Sequence, residues 1–142
     1  MKTTAEKSAA AMWEGDAAAK WLGMEIVSVS EGAATLAMDI APHHLNGHAM
    51  LHGGITFALA DTAFAYACNS RNQATVAQQN SITYLAPGRL GDRVTATARE
   101  VSLTGRSGIY DVTVKTQTGV VIAEFRGNSR AINGQLFEED KA

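Results

Sequence analysis

One acidic residue interrupts a long apolar segment, and this feature constrains the fold more than any other in the chain. Between Gly53 and Cys68 the only charged side chain is that of Asp61. A helix that is apolar on every side is normally buried against the rest of the protein. A carboxylate almost never enters such a place unless it is paired or used. The segment therefore predicts a buried central helix with one acid, which has either a structural or a catalytic role.

The predicted helix begins with a pair of glycines after a histidine, His52-Gly53-Gly54. Glycines leave the first backbone N–H groups uncrowded, and the N-terminus of a helix stabilises negative charge. The same glycines could instead serve only to let the helix pack closely against a neighbour. The segment thus offers a candidate anion hole at Gly53 and a candidate catalytic carboxylate at Asp61.

Composition excludes several classes of protein. The chain has 142 residues, a net charge of −2 and 46% hydrophobic residues, so we expect a single domain over residues 1–142 with a full core. The near-neutral charge argues against binding to nucleic acid or to a membrane surface. Cys68 is the only cysteine, so no internal disulfide can form. The longest apolar run is too short to span a bilayer, and we expect a cytoplasmic protein.

The pattern along the chain predicts an α+β fold. Residues from Thr4 to Leu22 favour a helix that stops at Gly23, and residues 133–142 form a polar, flexible tail. Ala41–Leu51 is a loop that leads into the central helix. Alternating apolar residues and turn signals predict six strands in one antiparallel sheet that wraps the helix: Met24–Ser30, Ala33–Ile40, Thr75–Leu85, Arg93–Leu103, Ser107–Gln117 and Val120–Ile132.

Three short stretches carry a resemblance to a known family. Asn46-Gly47-His48, His52-Gly53-Gly54 and Leu59-Ala60-Asp61-Thr62-Ala63, in this order, resemble the hotdog-fold acyl-CoA thioesterases. Further stretches resemble the branch of this family that acts in phenylacetic acid degradation, and the resemblance extends from about Trp13 to Ile132. These stretches are Phe64-Ala65-Tyr66-Ala67-Cys68-Asn69-Ser70, Pro87-Gly88-Arg89, Gly108-Ile109-Tyr110-Asp111-Val112 and Phe125-Arg126-Gly127.

The resemblance implies a sheet curled around one long helix, dimers that share two active sites, and often a dimer of dimers. It also implies hydrolysis of phenylacetyl-CoA or hydroxyphenylacetyl-CoA to the free acid and CoA, with no cofactor. Asn46 matches a position where related thioesterases place an amide near the reacting centre, although it could equally be an ordinary turn residue. His52 precedes the oxyanion glycine and could hydrogen-bond nearby.

The distance between Gly53 and Asp61 along the helix decides whether one chain could supply both groups to one site. Attack on a thioester produces a negative oxygen, which the Gly53 N–H could bind, while Asp61 deprotonates a water or attacks directly. The two residues are eight positions apart, or about 12 Å along one helix, whereas catalysis needs both groups within about 3 Å of the reacting centre. Two chains with antiparallel helices across a two-fold axis would resolve this and form two composite sites.

The likeness is incomplete in the helical turn after the acid. A related branch uses a glutamate at the Asp61 position and a hydroxyl residue one turn later, which is Ala65 here. Thr62 is the nearest hydroxyl but points to another side of the helix. We name five further candidates for substrate binding, among them two arginines because guanidinium suits the phosphates of CoA: Gly54, Thr62, Arg89, Arg106 and Ser107.

Other interpretations remain open at this point. His43, His44, His48 and His52 form a histidine-rich loop, but no acid or cysteine completes a metal-binding set, and we predict no metal. A hotdog hydratase or dehydratase would pair a histidine with an acid for proton transfer. A non-catalytic acyl-CoA binding module would keep the cleft but would not need the buried acid.

Overall fold

The chain folds into three helices and one six-stranded antiparallel sheet, in a computed structural model that describes residues 1–139. The helices are α1 (Thr4–Gly15), α2 (Ala17–Leu22) and α3 (Gly53–Cys68). The strands are β1 (Met24–Ser30), β2 (Ala33–Asp39), β3 (Thr75–Tyr84), β4 (Arg93–Thr104), β5 (Ser107–Thr116) and β6 (Val121–Ala131).

The predicted sheet is confirmed, and each strand end lies within one residue of its expected place. The strands lie in the order β1-β2-β4-β5-β6-β3, so β1 and β3 form the two edges. Gly32 and Gly105, in the β1–β2 and β4–β5 turns, have φ angles of 75° and 61°. These are left-handed values that glycine adopts without a steric cost, which explains why the turns fall where the sequence indicated.

Helix α3 lies across one face of the sheet and contacts β2 and β4 to β6. Leu59, Ala60, Ala63 and Phe64 are buried beneath it. The helix can lie close to β6 because residue 127 is a glycine: a Cβ there would come within 2.7 Å of the Phe64 ring. That close approach brings the middle of α3 near β3, which pairs with β6.

The opposite side of α3 is open in a single chain. Ala58, Asp61, Thr62 and Ala65 are only half-buried, although the uniformly apolar sequence led us to expect a helix wrapped on all sides. The reason is geometric, since a single sheet can cover one side of a helix and no second layer formed by residues 1–139 covers the other.

The N-terminal segment differs from the expected single helix over Thr4 to Leu22. It breaks at Asp16, whose carboxylate accepts hydrogen bonds from the Ala19 N–H at 3.3 Å and from the Tyr66 hydroxyl at 3.0 Å. An aspartate that bonds nearby backbone competes with helix continuation and favours a new helix start. Gly23 ends α2 in the left-handed conformation, as expected of a stop signal.

Part of the predicted flexible tail is held in place. The Asn72 side chain accepts the N–H groups of Leu136 and Phe137 at 2.9 and 3.1 Å and donates to the Phe137 carbonyl. Since one side chain satisfies three backbone groups, residues 136–137 are anchored beside the end of α3. The last part of the predicted tail, residues 140–142, lies outside the described residues. Within residues 1–139, no helix has the length and hydropathy to cross a bilayer.

Candidate active site

The first turn of α3 presents an unoccupied backbone donor. His52 is the N-cap, and its Nδ1 accepts the N–H of Gly54 at 2.9 Å, so the second glycine's donor is already used. The N–H of Gly53 has no acceptor within residues 1–139. Tyr84 from the end of β3 donates its hydroxyl to the Gly53 carbonyl at 2.8 Å. The turn is therefore held by two side chains while the Gly53 N–H remains available to a ligand.

Gly53 lines a cleft of about 280 Å³ between the loop before α3, the first turn of α3 and the strand ends. Gly53, Thr56, Asn46 and Tyr84 supply its polar lining. Its other walls are largely apolar: Met50, Leu51, Ala86, Pro87, Gly88 and Ile122. An apolar concavity with a few converging polar groups is typical of a small-molecule site.

Asn46 forms the turn that shapes the cleft and also lines it. Its Oδ1 accepts the N–H groups of His48 at 2.9 Å and Met50 at 3.2 Å. The ordinary turn interpretation is therefore correct as far as the oxygen is concerned. The amide nitrogen makes no hydrogen bond within residues 1–139 and can donate to a ligand.

Asp61 lies half-buried on the open side of α3, and among residues 1–139 its side-chain partner is an amide. Asn80 on β3 donates its Nδ2 to Asp61 Oδ1 at 2.9 Å. Burial raises the pKa of Asp61 above its ordinary value, and the hydrogen bond from Asn80 offsets part of that rise. Burial disfavours the charged form whereas a donor favours it, so the carboxyl is a stronger base than an exposed aspartate.

The cleft with Gly53 does not include Asp61. The acid lies two helical turns further along α3, at about 12 Å, and it is absent from the residues that line the cleft. One chain therefore carries both predicted groups, but not within reach of a single reacting atom.

Asn80 is a site residue that the sequence did not indicate. Strand alternation alone would not place it next to the helix, because β3 contains a bulge between Ala77 and Gln79. A bulge reverses the faces to which later side chains point, and no local residue pattern in this strand signals one.

The remaining candidates are distributed over the molecule. Thr62 donates its hydroxyl to the Ala58 carbonyl of its own helix at 2.6 Å, so that hydroxyl is occupied. Arg89 is exposed next to the cleft-lining Gly88. Gly54 is exposed in the first turn.

Arg106 and Ser107 lie away from the cleft within one chain. Ser107 pairs with Arg130 on β6, whereas the cleft residue Tyr84 pairs with Ala123 on that strand. Seven residues of strand separate these points, or roughly 23 Å. Within one chain these two residues do not reach the cleft with Gly53, and their part in substrate binding stays a prediction.

Among residues 1–139, His44 and His52 bond backbone groups and no carboxylate. Buried His44 accepts the Ala41 N–H at 3.0 Å through Nδ1, so its Nε2 donates to the Leu22 carbonyl at 2.8 Å. Burial lowers the pKa of His44, which keeps it neutral. Within residues 1–139 no group of three potential metal ligands is present, and no histidine bonds Asp61. A histidine–acid pair of the hydratase type is therefore absent from this part of the chain.

Cys68 ends α3 as a buried thiol that donates to the Ala65 carbonyl at 3.5 Å. Burial raises its pKa to about 12, with a further contribution from the charge of Asp61. The thiol is neutral at physiological pH and is not a candidate nucleophile.

Comparisons with known proteins agree with this geometry. The thioesterase superfamily model matches residues 48–123. Acyl-coenzyme A thioesterase PaaI of Escherichia coli (strain K12) is 45% identical over 98% of this chain and 99% of its own. The solved structure of E. coli PaaI, from the phenylacetic acid degradation operon, superposes with a TM-score of 0.91 at 46% identity, covering 93% of this chain and 96% of that one. The predicted hotdog fold is confirmed.

Two more distant relatives extend the comparison. Human acyl-coenzyme A thioesterase 13 is 33% identical over 71% of this chain and 74% of its own. A Streptococcus mutans protein solved with bound acetyl-CoA has a TM-score of 0.76 at 26% identity, covering 80% of this chain and 91% of that one.

Proposed function

The chain belongs to the thioesterase superfamily and is a thioester hydrolase. We propose that its substrates are phenylacetyl-CoA and hydroxyphenylacetyl-CoA. The products are the free aryl acid and CoA. The observation that carries the proposal is the cleft at the start of α3, where an unoccupied backbone donor meets apolar walls.

The shape and lining of the cleft support an aryl group. Its volume of about 280 Å³ is close to the lower end of typical small-ligand pockets. Leu51, Pro87 and Ile122 offer apolar contacts, and Tyr84 adds a ring whose hydroxyl is already bonded. The near-full-length likeness to a thioesterase of the phenylacetic acid degradation operon points to the same substrate class.

In the proposed reaction, the Gly53 N–H binds the oxygen of the thioester as it becomes negative. The helix N-terminus adds to this stabilisation. Asp61 supplies the base, for which its half-buried position and raised pKa suit it. The free Asn46 amide nitrogen donates to the substrate. His52 has a supporting role, because it fixes the first turn through the Gly54 N–H.

We further propose that the working unit is a dimer. Gly53 of one chain and Asp61 of a second would meet if two α3 helices ran antiparallel across a two-fold axis. The open side of α3 supports this contact: Ala58, Thr62 and Ala65 are small and half-buried there, so a second helix can approach closely. The pairing of two dimers into a tetramer stays a prediction, to be checked by sedimentation.

A substrate panel tests the acyl specificity. Phenylacetyl-, hydroxyphenylacetyl-, benzoyl- and straight-chain acyl-CoA esters are incubated with the protein, and released CoA is followed with a thiol reagent. We expect the arylacetyl esters to give the highest kcat/KM. Faster turnover of straight-chain esters would overturn the proposed substrate.

A mixing experiment tests the shared site separately. Asp61→Ala chains and Gly53→Pro chains, each nearly inactive alone, are exchanged in equal amounts. Half of the resulting dimers are mixed, and each mixed dimer holds one intact site, so about a quarter of wild-type activity should return. No recovery after demonstrated subunit exchange would contradict the composite site.

A further inference from the structure

Asn80 donates a hydrogen bond to Asp61 and has a second side-chain polar atom without a partner. Its Nδ2 donates to Asp61 Oδ1 at 2.9 Å. Its Oδ1 is buried and has no hydrogen-bond partner within residues 1–139. A buried polar atom without a partner costs about 1–3 kcal/mol, so native proteins seldom keep one without a reason.

The bulge in β3 is what turns Asn80 towards α3. Before the bulge Ala77 pairs with Ser129, and after it Gln79 pairs with Asn128, which leaves Gln78 as the extra residue. Because of that extra residue, Asn80 lies opposite Gly127, whose missing side chain lets α3 approach. In an unbroken register Asn80 would lie opposite the exposed Arg126 and would face away from the helix.

An amide in this place can serve both protonation states of the acid. Ionised Asp61 has only acceptors and takes the Nδ2–H, as observed. Protonated Asp61 gains an O–H donor, and the unpartnered Oδ1 on the same amide plane is the acceptor that such a donor requires. The atom that lacks a partner in one state gains one in the other.

We propose that Asn80 is a positioning residue for Asp61: its amide nitrogen orients the carboxylate, and its amide oxygen accepts a hydrogen bond from the carboxyl once Asp61 has taken a proton. This rests on the proposed catalytic role of Asp61. In the step it serves, a water oxygen bonds to the thioester carbonyl carbon while Asp61 takes one water proton. When the C–S bond breaks, the sulfur leaves with the electron pair and the proton passes to it from Asp61.

The surroundings of Asp61 leave this role to Asn80. Burial raises the pKa of Asp61 and the Asn80 hydrogen bond lowers it. Cys68 lies two helical turns further along α3, and this thiol stays neutral because burial raises its pKa to about 12. No charged side chain of the neighbouring strands bonds the carboxylate within residues 1–139.

The decisive test is Asn80→Leu, which keeps the volume and removes both polar atoms. A hydrogen bond to a charged group is stronger than one to a neutral group. Loss of the amide therefore removes more stabilisation from the ionised than from the protonated form of Asp61, and its pKa should rise. The acid limb of the kcat/KM profile should then move up by about one pH unit, and kcat at neutral pH should fall about tenfold, with KM nearly unchanged. The matched control is Gln79→Leu, which removes an outward-facing amide one residue away and should leave the profile in place.

A direct titration keeps this test independent of the substrate. The carboxyl carbon of Asp61 is followed by NMR in the wild type, in Asn80→Leu and in the smaller Asn80→Ala, which adds no bulk if the leucine variant folds poorly. We expect the midpoint of Asp61 to rise in both variants. An unchanged midpoint together with an unchanged pH profile would overturn the role of Asn80. If the wild type is inactive on arylacetyl esters but the midpoint of Asp61 rises in both variants, only the proposed substrate is refuted.

Discussion

The first turn of α3 and its middle offer two different kinds of chemical group. At the first turn the group proposed to act is the backbone N–H of Gly53, in a turn held by the side chains of His52 and Tyr84. In the middle the group proposed to act is the side chain of Asp61, which accepts a hydrogen bond from the amide of Asn80. One substitution can therefore delete the acid, whereas the backbone donor can be removed only by a residue that lacks an N–H.

The largest expected effect is that of Asp61→Asn. The amide has nearly the same volume but cannot take a proton, so kcat should fall by at least about 10²–10⁴-fold while the ester still binds. Steady-state kinetics and a binding titration measure both quantities. Asp16→Asn is the control, because it alters a half-buried acid that bonds Tyr66 and lies outside the proposed site.

Stability separates a catalytic acid from a structural one. The pKa of Asp61 is raised in the folded state, so ionisation costs stability as the pH rises above the unfolded value. An amide at this position removes that cost, and the melting temperature at neutral pH should hold or rise. A large fall would assign Asp61 a structural role and abolish the contrast between the two regions.

Gly53→Pro tests the backbone donor. Proline is tolerated in the first turn of a helix, and loss of one oxyanion donor costs about 10²–10³ in kcat. Gly53→Ala is the matched control, since it keeps the N–H while its Cβ meets the same Tyr84 ring at 3.1 Å. Near-normal kcat in a folded Gly53→Pro dimer would exclude the donor role.

Substitution of His52 should have a smaller effect, and mainly on stability. His52→Ala leaves the Gly54 N–H without its acceptor, and loss of a helix cap lowers the free energy of unfolding by about 1 kcal/mol. His52→Asn, which keeps a capping side chain, should recover most of that loss in urea denaturation. A catalytic loss in His52→Asn as large as that of Gly53→Pro would instead show that the imidazole takes part in the chemistry.

Tyr84→Phe should have the smallest effect. The hydroxyl bonds the Gly53 carbonyl from a side chain that is 53% exposed, so water can replace it. The expected loss of stability is at most about 0.5 kcal/mol, with kcat within about twofold of wild type. Thermal melts and kinetics check this, and a tenfold loss of kcat would mean that the Tyr84 hydroxyl itself takes part in the reaction.

Much of the fold follows from the sequence because its signals are local. Alternation and glycine turns place the strands, and the absence of charge around Asp61 marks α3. At the break between α1 and α2 the Asp16 carboxylate also accepts the hydroxyl of Tyr66, 50 positions later, and such a pairing exists only in the folded chain. Asn80 depends on a bulge and on Gly127 across the sheet, so the acid could be predicted but its partner could not.

The state of Cys68 has a consequence for an enzyme whose product is itself a thiol. Thiol–disulfide exchange proceeds through the thiolate, and with a pKa of about 12 only roughly one Cys68 in 10⁵ is ionised at neutral pH. Burial also shields the sulfur from attack by an oxidised CoA disulfide. Cys68 is therefore protected from exchange with any CoA that has been oxidised to its disulfide after release.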